Sequence, residues 1–172
     1  MSSIKKFLKQ WRYFIGYVLF IYTSLPFVPI FWTRFIEPNR TFNQFLPFVI
    51  LFIIFLVVFY YLFFINRKKN FVSFVIIIIS FLIAYLLIKK INISAERIHI
   101  VEYGVLPFLI YTPLRQKNWL LVYFWVFIIG FSVGAFDEII QYFIPNRVFD
   151  VKDILTNTAG VFLGEIVLYN LK

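Results

Sequence analysis

The sequence predicts an all-α protein, a polytopic transmembrane helical bundle with five to six spans. Hydrophobic residues make up 62% of its 172 residues and charged residues only 15%, whereas soluble domains are about 45–50% apolar and 25% charged. Several uncharged runs approach the roughly 20 residues that a helix needs to cross the hydrocarbon layer. The lipid bilayer is therefore the predicted environment and the first partner of the chain.

The charge pattern indicates what else the chain contacts. The formal net charge is +9, and Lys and Arg occur in short clusters beside the apolar segments. This placement favours anionic lipid head groups as counter-charge and predicts no nucleic-acid binding. The chain has no cysteine, which excludes disulfides and thiolate metal sites.

The first predicted span is residues Tyr13–Thr33, which follow a basic segment. Pro26 and Pro29 near its far end predict a kink, because proline removes a helical hydrogen bond. No small-residue cleavage pattern follows the apolar region, so we expect an uncleaved first span rather than a signal peptide.

The second and third predicted spans, Phe45–Ile65 and Asn70–Ile88, are free of charge throughout. A basic turn of Arg67, Lys68 and Lys69 separates them. The two spans are therefore expected to form a helical hairpin.

The last three segments are Ile98–Leu114, Asn118–Phe136 and Ile154–Leu171. The first of them contains a histidine, a glutamate and two prolines, so it is expected to tilt, kink or enter the bilayer only partly. The other two are apolar enough to span. The prediction is six spans if Ile98–Leu114 crosses the membrane and five if it does not.

Orientation follows from the basic residues near the span ends. With six spans, ten Lys and Arg fall on the side of the N-terminus and seven on the other side. We therefore predict a multi-pass protein of the cell membrane with a cytoplasmic N-terminus. The polar stretch Asp137–Asp153 then faces outward.

A first polar stretch places Glu96, His99 and Glu102 three residues apart. On a helix these side chains form a slanted stripe, and His99 is the only histidine of the chain. Ionisable groups at a membrane boundary are expensive unless paired or hydrated, which favours a proton-transfer group or a metal ligand. The alternative is an interfacial group in head-group water, ion-paired with Arg97.

A second polar stretch precedes and begins the last segment. Asp137 and Gln141 share a helix face through their four-residue spacing, and Asp150 is placed to cap the following helix. The alternative interpretation is that the carboxylates only cap helices and that a basic side chain neutralises them. The candidate residues in this stretch are Asp137, Glu138, Gln141, Arg147, Asp150, Asp153 and Asn157.

Two pairs of glycines with four-residue spacing follow the same segments. Gly130 and Gly134 lie on the fifth segment, and Gly160 and Gly164 on the sixth. Small residues at this spacing let helix backbones approach closely. The pattern predicts that the fifth and sixth segments pack together with their carboxylates at one mouth.

These two stretches resemble the motifs of VanZ-like membrane proteins. The run from Asp137 to Gly164 is similar to the family pattern of D-E-x-x-Q, a P-G-R turn, two spaced aspartates and N-x-x-G-x-x-x-G. The segment Glu96–Gly104 is similar to the E-R-I-H-x-x-E-Y-G segment of that family. One departure is Asn146, where the family has glycine; asparagine tolerates a left-handed turn, so the turn is expected to survive.

The resemblance implies a small multi-pass bacterial membrane protein. The family is named for a member associated with resistance to the glycopeptide teicoplanin, and it supplies no established reaction. The resemblance places a VanZ-like membrane domain at residues 91–172 and leaves three segments of unassigned role at residues 1–90. It also implies that the candidate residues above occupy the polar positions of the family.

Two functions remain open at this stage. The first is an enzyme or binding protein acting on a lipid-linked cell-envelope precursor. In it, His99, Asp137 and Glu138 are the candidate catalytic residues, Arg147 binds an anion, and the other polar candidates line the substrate site. Alternatively, the carboxylates at the mouth of the site bind Mg²⁺ through their oxygen atoms. The second function is a non-catalytic scaffold, partner subunit or small transporter in which the polar residues lock helices together.

Overall fold

The structure is a computed structural model that describes residues 3–66, 70–91, 96–115, 118–145, 147 and 149–172. The described residues are predominantly helical and contain no strand, which confirms the predicted fold class. The helices are α1 (Ser3–Ser24), α2 (Val28–Phe31, extended by a π-helical turn at Trp32–Ile36), α3 (Arg40–Tyr60, extended by a π-helical turn at Tyr61–Ile65), α4 (Phe71–Lys90), α5 (Arg97–Leu114), α6 (Trp119–Tyr142) and α7 (Val151–Leu171).

The first span is bent, as the prolines predict. The axes of Phe7–Ser24 and Val28–Ile36 differ by 62°. Pro29 lies in the first turn of α2, where its missing N–H costs no helical hydrogen bond. The kink is therefore confirmed, and it divides the first span into two helices.

Aromatic rings pack against each other across the contact between α3 and α4. Phe55 meets Phe81 at a centroid distance of 5.1 Å, and Phe59 meets Phe74 at 6.0 Å. The side chain of Asn70 caps α4 by accepting a hydrogen bond from the N–H of Val72. The basic turn Arg67, Lys68 and Lys69, predicted to join the two helices, lies outside the described residues.

Helix α5 lies at the centre of the bundle and contacts α1, α3, α4, α6 and α7. It is continuous over its 18 residues despite Pro107 and Pro113. Tyr103, Leu106 and Ile110 are fully buried. The polar residues that weaken its hydropathy are tolerated because this helix faces other helices rather than lipid.

Length and apolarity identify four helices that could cross a membrane, and the bent first pair brings the number to five. Helix α5 is too polar to be among them, and it would be the sixth span if it crosses the membrane with the helices that it packs against. The range of five to six spans therefore agrees with the described part of the chain. Helix α6 also continues to Tyr142, so that Asp137 and Glu138 lie within a helix rather than beyond the end of one.

The glycine pair of α7 packs against α5, a close contact that was not predicted from the sequence. A Cβ atom at Gly160 would lie 2.6 Å from the carbonyl oxygen of Ile100, and one at Gly164 would collide with the carbonyl oxygen of Gly104. Helix α5, the doubtful segment of the sequence, therefore makes the closest backbone approach to α7.

The glycine pair of α6 does face α7. A Cβ atom at Gly130 would lie 2.7 Å from Cγ1 of Val161, and one at Gly134 would lie 2.9 Å from Cβ of Asn157. The predicted contact between α6 and α7 is therefore present, but only one of the two glycine pairs forms it. Helix α7 is held closely on two sides.

Candidate functional site

Three helix ends meet at one end of the bundle and bring polar side chains together. The first turns of α5, the last turns of α6 and the first turns of α7 lie together at this end. The connection between α6 and α7 lies beside them. The polar cluster, as we call it, consists of His99, Tyr103, Asp137, Glu138, Gln141, Arg147 and Asn157.

His99 and Asp137 face each other across the contact between α5 and α6. Nδ1 of His99 lies 3.6 Å from Oδ2 of Asp137. The two side chains are 12% and 0% exposed, so this pair is almost entirely removed from solvent. A small movement would bring the two atoms to hydrogen-bonding distance.

Gln141 joins the two carboxylates of α6. Its Nε2 atom donates to Oδ2 of Asp137 at 3.3 Å and to Oε1 of Glu138 at 3.0 Å. The shared face predicted for Asp137 and Gln141 is thus observed. Glu138 is also fully buried, and its Oε2 atom accepts a hydrogen bond from the N–H of Asp150 at 3.4 Å. Glu138 therefore ties α6 to the start of α7.

The start of α7 is held by its own polar residues. Asp150 caps the helix as predicted, accepting a hydrogen bond from the N–H of Lys152 at 2.8 Å. Asp153 lies half-buried in the first turn, where a negative charge is favoured by the helix dipole. Asn157 is fully buried and donates to the carbonyl oxygen of Gly134 at 3.3 Å.

Arg147 lies on the connection between α6 and α7. Its charge acts on Glu96, Asp137, Glu138 and Asp153, which places it among carboxylates from all three helices. None of the described carboxylates lies within ion-pair distance of its guanidinium group. Its Nε atom is buried without a hydrogen-bond partner.

Glu96 and Glu102 lie at the edges of the polar cluster. Glu96 directly precedes α5, and burial, followed by the negative charge of Asp153, raises its pKa to about 7 although Arg147 opposes the shift. Glu102 is half-buried one turn into α5 and interacts electrostatically with Asp137. Glu96 is therefore a carboxyl group that titrates near neutral pH.

Three tyrosines, one within the polar cluster and two beside it, were not among the candidate residues predicted from the sequence. Tyr103 is fully buried, and its ring lies parallel to that of His99 at 6.0 Å. Tyr17 and Tyr22 of α1 donate to the carbonyl oxygens of Glu102 at 3.0 Å and Val133 at 2.9 Å. The four-residue spacing that places Tyr103 on the same helix face as His99 could have indicated this tyrosine, but Tyr17 and Tyr22 had no such signal.

Buried polar atoms without hydrogen-bond partners concentrate in the polar cluster. In the described part of the chain, Oε1 of Glu165 is such an atom outside the cluster. Buried polar groups are normally paired, so unpaired ones call for an explanation. The unpaired atoms of the cluster are Nδ1 of His99, the hydroxyl of Tyr103, Oδ1 of Asp137, Nε of Arg147 and Oδ1 of Asn157.

The described residues contain no group of three or more His, Asp or Glu side chains arranged to hold a metal ion. The cluster nevertheless offers both donors and acceptors, from the Arg147 guanidinium to the Asp137 carboxylate. Such a set can bind a polar ligand and exchange a proton with it.

The fold and the cluster define a polytopic helical membrane protein with buried ionisable groups at one end of the bundle. The sequence profile of the VanZ/LLP1 family matches residues 10–172. The chain belongs to this family. The match includes the first three apolar segments, which the two motifs do not reach. No curated protein and no solved structure matches the chain significantly.

Proposed function

We propose that the polar cluster binds the anionic head of a lipid-linked cell-envelope substrate and exchanges a proton with it. The observation that carries the proposal is the concentration of buried donors and acceptors in the cluster that lack a well-formed hydrogen bond, although Tyr103 lies near Asp137 and His99 near Asn157. Leaving such groups unpaired costs about 1–3 kcal/mol each. A bound polar head group would supply the missing hydrogen bonds.

His99 and Asp137 are the proton-exchanging pair of this proposal. A histidine ring can accept a proton on one nitrogen, and a carboxylate beside the other nitrogen orients the ring. The 3.6 Å separation of Nδ1 and Oδ2 supports such a pair. Glu138 has less freedom, because Gln141 and the N–H of Asp150 already bind its carboxylate. Glu138 is therefore assigned to positioning the connection between α6 and α7.

Arg147 is the anion-binding residue of this proposal. It lies among carboxylates without an ion pair to any described one, and its buried Nε atom is unused. A guanidinium group binds phosphate or carboxylate through two parallel hydrogen bonds. Glu96 and Asp153 interact electrostatically with this cation and would set how strongly it attracts an anion.

An apolar cavity beside α5 supports a substrate with a hydrocarbon chain. The cavity has a volume of about 80 Å³ and lies between α3, α4, α5 and α7. Ile100 and Val101 line it and are close in the chain to His99. In the proposed complex, part of the lipid chain occupies this cavity while the head reaches the polar cluster. Ala84 and Ser80 line the cavity on α4.

The proposed location is the cell membrane, with the N-terminus in the cytoplasm and the polar cluster at the outer face. The ten basic residues on the N-terminal side against seven on the other support this orientation. A single cysteine placed at Lys5 should resist an impermeant thiol reagent in intact cells, and one at Lys152 should react. The reverse labelling pattern would overturn the orientation.

The test of the site compares variants of the polar cluster in reconstituted protein. His99→Ala, Asp137→Asn and Arg147→Ala should each reduce binding or turnover of lipid-linked envelope precursors by at least about tenfold. Lys152→Ala is the matched control, because this side chain is exposed and its backbone alone bonds Asp150. Unchanged binding and turnover in all three variants would refute the proposal.

Ala84→Leu tests the cavity separately. The larger side chain should fill the space and weaken binding of long-chain precursors more than that of their short-chain analogues. Equal weakening for both chain lengths would remove the cavity from the proposal and leave the head-group site intact.

A structural role for the cluster is the second candidate, and the Gln141 bridge between two buried carboxylates favours it. Polar contacts between membrane helices contribute about 0.6–2 kcal/mol each. If Asp137→Asn and Gln141→Ala lower the amount of folded protein in the membrane, the cluster stabilises the bundle. Loss of binding at an unchanged protein level would instead support the binding site.

A further inference from the structure

A second cavity lies at the opposite end of α5 from the polar cluster. It has a volume of about 200 Å³ and opens between α1 and the end of α5. About 13 residues separate His99 from Thr112, which corresponds to roughly 20 Å along a helix axis. The lining residues are Lys9, Gln10, Arg12, Tyr13, Thr112, Pro113 and Arg115.

The charged residues that line this cavity are all basic. Lys9, Arg12 and Arg115 line it, and none of the described lining residues is acidic. No described carboxylate forms an ion pair with these three side chains. The guanidinium of Arg12 lies over the ring of Tyr13 at 4.5 Å and donates to its hydroxyl at 2.6 Å. This contact holds one cation at the cavity by a cation–π interaction.

Uncharged hydrogen-bonding groups complete the lining. The amide of Gln10 lies beside the cations, whereas the hydroxyl of Thr112 already donates to the carbonyl oxygen of Phe108 at 3.0 Å. The end of α5 carries a partial negative charge of roughly half an elementary charge, which opposes an anion there. Three full positive charges outweigh it, so the net field in the cavity favours an anion.

We propose that this cavity binds the phosphate group of an anionic phospholipid. Its position at the end of a membrane-embedded helix places it at the level of the lipid head groups. Exposed apolar side chains of α1, Phe7 and Leu8, flank the basic residues and would lie against acyl chains. Tyr13 is 64% exposed, as expected for an aromatic residue at the membrane interface. The proposal is independent of the function of the polar cluster.

The experiment measures lipid preference in the reconstituted full-length protein. Vesicles of phosphatidylcholine with or without phosphatidylglycerol are used, and the lipid retained after extraction is quantified by native mass spectrometry. The triple variant Lys9→Gln, Arg12→Gln and Arg115→Gln should lose its preference for phosphatidylglycerol by about tenfold or more, because each basic residue near an anionic surface strengthens binding several-fold.

A second triple variant of equal charge provides the control. Arg34→Gln, Lys89→Gln and Lys152→Gln remove three exposed basic side chains outside the cavity. Retention of the preference in this control supports a specific site. Equal loss in both triple variants, or no loss in the cavity variant, overturns the proposal.

Two additional arms separate the lipid from other sources of phosphate. Inorganic phosphate added to the reconstituted protein should leave the retained phosphatidylglycerol unchanged. Displacement of the lipid by inorganic phosphate would assign the cavity to a soluble ion and overturn the lipid assignment. The variant Arg12→Lys and Arg115→Lys keeps the charges and should retain most of the preference. Its failure to do so would overturn an electrostatic basis for the site.

Discussion

The α3–α4 hairpin and the α5–α6–α7 group are accommodated in the bilayer in different ways. In the candidate spans of α3 and α4, 17% and 28% of the residues are buried inside the protein, compared with 33% and 44% in those of α6 and α7. The hairpin is covered by exposed Phe, Ile and Leu side chains, which lipid can solvate. The three-helix group relies on glycine contacts and buried polar residues instead. We therefore expect the stability of the three-helix group to depend on close packing between its helices, and that of the hairpin to depend mainly on hydrophobicity.

Gly164→Ala should break the three-helix group and produce the largest effect. The new Cβ atom would collide with the backbone carbonyl oxygen of Gly104, which cannot move aside as a flexible side chain could. We expect a loss of about 3 kcal/mol in the free energy of unfolding. Thermal unfolding in detergent measures the change in stability. The amount of membrane-inserted protein is measured alongside it.

Gly16→Ala is the matched control for this substitution. No heavy atom lies within 4 Å of a Cβ atom built at Gly16, and alanine favours a helix over glycine by about 0.5–1 kcal/mol. The control should therefore be neutral or slightly stabilising. Similar losses in both variants would show that the contact between Gly104 and Gly164 is not the critical one.

Asn66→Ala should weaken the connection between the two regions by a smaller amount. The side chain of Asn66, just after α3, donates to the carbonyl oxygen of Leu171 at the end of α7. Removing this hydrogen bond should lower the free energy of unfolding by about 1 kcal/mol. Ser80→Ala serves as the comparison, because its hydroxyl bonds only within α4. Equal effects would mean that Asn66 does not join the regions.

Glu96→Gln should act on the pH dependence of stability rather than on stability at low pH, where Glu96 is protonated. Burial raises the pKa of Glu96 in the folded protein to about 7 from an ordinary value of 4.5. The folded state then binds more protons than the unfolded state between these values, so its stability falls as pH rises through this window and levels off above it. The variant should lose this part of the slope in unfolding experiments. An unchanged slope would contradict the raised pKa.

The sequence predicted the helices because their signals are local. Uncharged runs located the spans, and two prolines predicted the 62° bend. The four-residue spacing of Asp137 and Gln141 predicted their contact, and Asp150 was correctly placed as a helix cap. Each of these features depends on residues that are neighbours along one helix.

Contacts between helices were less predictable. The spacing of Gly160 and Gly164 showed that a helix packs closely there, but not that the neighbour is α5. The position of Tyr17 and Tyr22 beside the cluster likewise depends on how α1 crosses α5 and α6. The sequence indicates which helix faces are suited to close packing, but not which neighbouring helix each face will meet. The roles assigned to His99, Asp137 and the other candidate residues stay predictions until the variants are measured.

The central place of α5 has a consequence for the biogenesis of the protein. A segment enters the bilayer from the translocon according to its own apolarity, and charged residues oppose that step. Helix α5 lacks sufficient apolarity, and its main neighbours α6 and α7 are synthesised after it. Its stable insertion should therefore wait for them. A chain truncated before residue 118 and released from the ribosome should leave α5 accessible to water-soluble labelling reagents, and the full-length chain should protect it.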